Sequence, residues 1–262
     1  MLVGSPEWFY EKSLSTEKQN WQKRVEDMRE QFLKQFSPTL LMKMDGSQLL
    51  RNVFNDAPSA MIRWLMFSSK GWGFGSAGKY KYLGILYYKE GEGWRYKEGA
   101  KAVSISQANA AEKATYLRDQ LISCINDIKH TGTFRTIHDY RNLQNRLELV
   151  FFSRYPWVMK YYQMVFPQFF PGMYADKTLK RAIHILGLRN HGTSNRIMNA
   201  GEVSLFIRRC DINNIVFGTI YGDTWGWEMD FPPCEAASDN YANCSKPTSS
   251  VNLNYYSLIS EI

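Results

Sequence analysis

Residues 79–97, KYKYLGILYYKEGEGWRYK, constrain the fold more than any other stretch of the chain. Their side chains alternate with the period of two that belongs to extended backbone. Tyr80, Tyr82, Leu86 and Tyr88 fall on one face, and Lys81, Leu83, Ile85, Tyr87 and Lys89 on the other. Glu90-Gly91-Glu92-Gly93 supplies a turn, and Trp94-Arg95-Tyr96-Lys97 begins a returning strand. The compact apolar run AMIRWLMF, Ala60 to Phe67, ends at Ser-Ser-Lys-Gly and predicts a buried strand leading into the hairpin. Nearly everything else carries helical spacing. The expected class is therefore α+β: a small antiparallel β-sheet with flanking helices, followed by a helical subdomain.

Residues 17–36 place Trp21, Val25, Met28, Phe32 and Phe36 on one side of an amphipathic helix, which Ser37-Pro38 closes. Ser47 is a capping candidate for a short helix holding Leu49, Leu50, Val53 and Phe54. Ser104 and Ser106 announce a helix over 107–129. The polar connector HTGTFRT, from His130, then separates this part from four helical runs at 140–152, 156–166, 176–186 and 200–210. Pro156 suits a first turn, Asp176 caps the next run, and Gly187 stops it. A further short helix is expected in 211–227. From Phe231 the chain is acidic, unpatterned and rich in Ser, Asn and Pro, as a linker is, which predicts another domain beyond it. The expected division is a helix in 1–36, an α+β domain in 37–130, a helical subdomain in 131–227 and a tail in 228–262.

The net charge is +7, and residues 61–210 hold the whole excess; residues 1–60 balance and 211–262 are net acidic. Such a body suits a polyanionic partner through phosphate contacts and counterion release. No apolar run approaches the roughly 20 residues that span a bilayer, so no membrane partner is expected. The start MLVGSPEWFYEK lacks the plan of a secretory signal, and Cys124, Cys210, Cys234 and Cys244 lack paired spacing. A reducing cytoplasm is the expected compartment.

Gly73 to Lys79 reads G-x-x-x-x-G-K, the first seven letters of a phosphate loop. The next residue is Tyr80, which cannot supply the metal-binding hydroxyl, and residues 80–89 alternate as a strand instead of opening a helix. Nucleotide hydrolysis is therefore not expected. The four His residues lack metal-ligand spacing, HGTSN at 191–195 only echoes part of a His-Asn nuclease, and no G-x-S-x-G elbow occurs. Loosely spaced Glu92, Glu98 and Lys97 leave a metal-dependent nuclease as a minor alternative. No catalysis, cofactor or metal is expected of this chain.

Aromatics reach 15%, enough to fill a core and still leave rings for stacking. Around the hairpin, cations and rings interleave. Lys79, Lys81, Arg95 and Lys97 are the candidates to hold phosphates, and Trp72, Phe74 and Trp94 to stack or wedge at a base. Glycines 71, 73, 75 and 78 would admit close backbone approach. One aromatic face is expected to pack on the 107–129 helix, leaving the other to a ligand. Arg141, Arg146, Lys180, Arg181, Arg189, Arg196, Arg208 and Arg209 support the basic character without defining a site.

The order IRWLMF, GWGFGSAGKYKYLGILYY, GEGWRY, SQANAAEKATYLRDQLI, then YPWVMKYYQMVFPQFFPGMYADKTLKRAIHILGL and GDTWGW, resembles the N-terminal region of McrB-like AAA+ proteins of modification-dependent restriction systems. The resemblance covers about residues 40–227. It implies a DNA-recognition module, with an AAA+ motor and a nuclease subunit as partners. This sequence has no Walker A, Walker B or arginine-finger segment, so the motor is not expected in it. The leading expectation is a DNA-binding target-recognition module of an antiphage restriction system, with modified DNA as one candidate target. The alternative is a protein-interaction or phage-sensing module that uses the aromatic surface.

Overall fold

A computed structural model describes residues 2–67, 85–98, 101–147, 155–173, 176–192 and 195–225. The fold is α+β, as the alternating hairpin in a helical sequence requires. Three antiparallel strands run in the order β1 (Leu86–Lys89), β2 (Gly93–Glu98) and β3 (Lys101–Ser104). Leu86 opposes Tyr96, Tyr88 opposes Trp94 and Lys89 opposes Gly93. Gly91 and Gly93 take φ of 76° and 78°, left-handed values that favour glycine, which is why EGEG turns here. The third strand, KAVS, is too short to announce itself in the sequence. It pairs Arg95 with Ser104 and Tyr96 with Val103.

Residues 60–67 are not a strand. After α1 (Pro6–Ser13), α2 (Thr16–Phe36), α3 (Pro38–Lys43) and α4 (Gly46–Leu49), the run MIRWLMF forms helix α5, Met61–Phe67. Met61, Ile62 and Leu65 are buried while Arg63 and Trp64 are half-exposed, a helical period hidden in an apolar run. Met and Leu are strong helix formers and only Ile62 is β-branched, so local propensity agrees. Between α4 and α5, Leu50–Phe54 continues as a single π-helical turn. The cap of α4 is Asp45 instead of Ser47: Asp45 Oδ1 accepts from Gln48 N at 2.8 Å, and Gln48 Oε1 accepts from Asp45 N at 2.9 Å.

Helix α6 (Gln107–Thr131) is capped by Ser106, whose Oγ accepts from Asn109 N. It buries Ala110, Ala114, Leu117, Leu121, Cys124, Ile125 and Ile128. Then come α7 (Ile137–Leu147), α8 (Pro156–Val165), α9 (Asp176–Ile185), α10 (Arg196–Arg209) and α11 (Asn214–Trp225). Helix α8 is buried along its length: Trp157, Val158, Met159, Lys160, Tyr161, Tyr162, Gln163 and Met164 are all at most 3% exposed. Gly187, at φ 62°, ends α9, where Leu188 N donates to Ile183 O and Gly187 N to His184 O.

One hydrophobic cluster runs through α1, α2, the π turn, β1 and α6 to α11. Helix α1, a second helix within residues 1–36 where one is expected, anchors it: Phe9 is fully buried, 4.7 Å from Phe217 and 5.8 Å from Phe206. Helix α2 reaches the same helices through an ion pair between Lys18 and Asp223. At its other end, Phe32 packs 4.8 Å from Trp64, and Tyr161 Oη donates to Phe36 O at 2.8 Å.

Candidate nucleic-acid interface

The pleat divides the hairpin into two faces. Leu86, Tyr88, Trp94, Tyr96 and Val103 share one, because opposed residues point the same way. Leu86 is buried there, Trp94 and Tyr96 pack against the core with Lys113 of α6 over the Tyr96 ring at 4.8 Å, and Tyr88 and Val103 are exposed. Tyr87, Lys89, Arg95 and Lys97 occupy the other face, with Ser104. Lys89 is exposed, and Tyr87, Arg95 and Lys97 are half-exposed. Ile85, at the far end of this second face, is buried and accepts a hydrogen bond from Lys97 N.

Three of the residues singled out in the sequence fall on β2: Trp94, Arg95 and Lys97. Trp72, Phe74, Lys79 and Lys81, with the whole glycine run 71–80, lie outside the described residues. Trp94 belongs to the packed face and meets Tyr88 edge-on, with ring centroids 5.4 Å apart. Arg95 ties the sheet together. Its guanidinium donates to Glu92 Oε2 at 2.7 Å and to the Ala102 carbonyl of β3 at 2.7 Å. Lys89 also pairs with Glu92, and its ammonium holds that carboxyl below the usual range. One carboxylate therefore stands between two of the three cations. Lys97 makes no ion pair among the described residues.

Sequence spacing gave no hint of a cleft at the turn end of the packed face. A cavity of about 260 Å³ lies between the hairpin, the π turn and the start of α6. Ser47, Leu50, Arg51, Asn55, Tyr88, Trp94 and Gln107 line it. The π turn explains its composition: Leu50, Val53 and Phe54 point into the core, while Arg51 stays exposed and Asn55 leaves the turn at its end. Asn55 Oδ1 accepts from Asp56 N at 2.7 Å, which leaves the amide NH₂ as the free end of that side chain. The Arg51 guanidinium, the Gln107 amide and the Ser47 hydroxyl have no hydrogen-bond partner among the described residues. Two ring walls, an apolar floor and four polar groups around a small concavity suit a planar, polar-edged ligand.

Several of the helical cations serve the fold itself. The Arg208 guanidinium donates to the carbonyls of Phe134 and Gln168. Arg181 donates to Trp225 O, Lys180 pairs with Asp176 at 3.1 Å, and Arg146 donates to Thr131. His191 Nε2 and Glu202 Oε1 lie 2.7 Å apart, and Asn199 Oδ1 accepts from His191 N, so His191 is tied to α10. Among the described residues no three His, Cys, Asp or Glu gather as metal ligands, and no helix is long and apolar enough to cross a membrane. No protein-family model, curated protein or solved structure matches this chain.

Proposed function

We propose that this chain is a DNA-binding target-recognition module of a cytoplasmic antiphage restriction system, working with an AAA+ motor and a nuclease subunit. One observation carries the reading: the pleat gathers Tyr87, Lys89, Arg95 and Lys97 on one face of the hairpin, with Lys89 exposed and the other three half-exposed. A half-exposed ring among cations on one sheet face suits phosphate contact with stacking. That face lies within the stretch 61–210, which is net basic and favours a polyanionic partner. Glu92 offsets part of the local charge, so Lys97 and the flanking lysines carry more of the phosphate contact than Arg95 does. The McrB-like resemblance points to the same partner.

Mobility shifts of the full chain against single-stranded, duplex, methylated and hydroxymethylated DNA, with and without Mg²⁺, test the proposal. It requires a shift without cleavage, weakened by Lys89→Glu combined with Lys97→Glu. Cleavage dependent on Mg²⁺ would replace it with the nuclease reading.

A second reading, recognition of another protein, draws on exposed apolar side chains. Met42 of α3 and Tyr116 of α6 are 61% and 55% exposed, on helices joined by Arg118, which donates to the carbonyls of Met42 and Met44. This reading predicts that Met42→Ser with Tyr116→Ser abolishes partner capture and leaves DNA untouched.

A further inference from the structure

We infer that the cleft between the hairpin tip and the π turn binds a nucleotide, its base against the Tyr88 and Trp94 rings and its phosphate at Arg51. The nucleotide is either a free mononucleotide or one unit of a polynucleotide. Only the second source rests on the DNA reading above.

The site is built from four elements. Tyr88 of β1 and Trp94 of β2 form a directly opposed cross-strand pair, which fixes both rings at the tip of the sheet. Trp94 is held by packing on the core, while Tyr88 is 43% exposed and lines the cavity. Leu50, buried in the π turn, gives an apolar floor. The other lining residues bring polar groups with hydrogen-bonding capacity that no partner among the described residues takes up. Gln107 offers a complete carboxamide, with both donor and acceptor, and Asn55 offers its NH₂. Carboxamides match the adjacent donor and acceptor sites on a base edge. Arg51 brings the cleft a guanidinium that makes no ion pair among the described residues, the group best shaped for phosphate. At about 260 Å³ the cavity lies just below the usual range of small-molecule sites, room for no more than one nucleotide unit and not for a duplex.

The test is calorimetric titration of the full chain with the four deoxynucleoside monophosphates, their nucleosides, and oligonucleotides carrying 2-aminopurine. At least one monophosphate is expected to bind, and its nucleoside to bind more weakly. Arg51→Gln erases that difference, and Gln107→Leu reorders the four bases. Tyr88→Ala weakens binding roughly 5- to 150-fold, the range of one lost stacking partner. Tyr88 is chosen because its exposure leaves the core intact, which Trp94→Ala would not; circular dichroism confirms the variant is folded. If DNA binds, 2-aminopurine brightens, and Tyr88→Ala lowers DNA affinity by a similar factor, the occupant is a polynucleotide unit. If mononucleotides bind and DNA does not, the cleft holds a free nucleotide, and the DNA reading falls while this one stands. If DNA binds but mononucleotides do not, and Tyr88→Ala leaves DNA affinity and 2-aminopurine emission unchanged, the cleft proposal is overturned and the DNA reading survives.

Discussion

Gly201 lies in α10 where that helix crosses α7, and a methyl group there has nowhere to go. A Cβ would sit 2.6 Å from Tyr140 Cδ2 and 2.8 Å from Cδ1, nearer still to Cγ. Ordinary carbon contacts lie at about 3.5–4.0 Å, so the ring would have to retreat by roughly 1 Å. It cannot do so freely. Tyr140 is fully buried, Phe134 packs 4.8 Å from its ring, and its hydroxyl donates to Phe169 O at 2.9 Å. Overpacking of this kind costs about 1–3 kcal/mol. The helix propensity gained in Gly201→Ala returns at most about 1 kcal/mol. After that return, overpacking leaves a net loss of up to about 2 kcal/mol, a fall of up to about 8 °C in Tm for a chain near this size. Thermal unfolding followed by circular dichroism measures it. Tyr140→Leu removes the ring, and in that background Gly201→Ala should become neutral or stabilising. A Tm that rises for Gly201→Ala alone would refute the close α7–α10 crossing.

The same packing leads to three further outcomes. Burial pushes the Cys124 thiol up to about 11 and the Cys210 thiol up to about 12, so at neutral pH neither should react with a disulfide reagent in a Cys234→Ser, Cys244→Ser background until the chain unfolds; rapid native labelling would contradict their placement. Burial pushes the Lys160 ammonium down to about 7, so between that pH and its ordinary value the unfolded chain binds the extra proton. Stability from this group should therefore rise with pH across that window, by about 1.4 kcal/mol per unit, and denaturant titrations of Lys160→Met should lose that slope; an unchanged slope would exclude Lys160 as its source. Asp45→Ala removes the reciprocal cap of α4 and should cost about 0.5–2 kcal/mol by urea titration, with Asp45→Asn much milder; equal losses would show that the cap is not what matters.

The parts of this fold legible in the sequence are those governed by local periodicity. The 107–131 helix, the EGEG turn and the glycine stop after α9 each arise from residues that interact with near neighbours. Residues 60–67 mislead because a short apolar run does not declare its period; only the burial of Met61, Ile62 and Leu65 beside half-exposed Arg63 and Trp64 distinguishes helix from strand. Helix α1 carries an available signal, Ser5 followed by Pro6, and Ser5 Oγ does accept from Trp8 N at 3.2 Å. The role of Arg95 is not legible at all. As one cation of WRYK it looks free, and only the register of β3 brings the Ala102 carbonyl to its guanidinium. The cleft is equally hidden, because its lining comes from residues 47–55, 88, 94 and 107 on separate elements. Ser47, a cap by sequence pattern, is instead one of its walls.

Contact between the basic hairpin face and nucleic-acid phosphates makes binding depend on salt. The most direct measurement is the affinity of the full chain for labelled DNA as salt rises from about 50 to 200 mM. Log K should fall linearly with log salt, by about 0.9 for each phosphate contacted on a duplex, and Lys97→Glu should reduce the steepness by about one contact. Affinity that does not change with salt, or no binding near physiological salt, would contradict it.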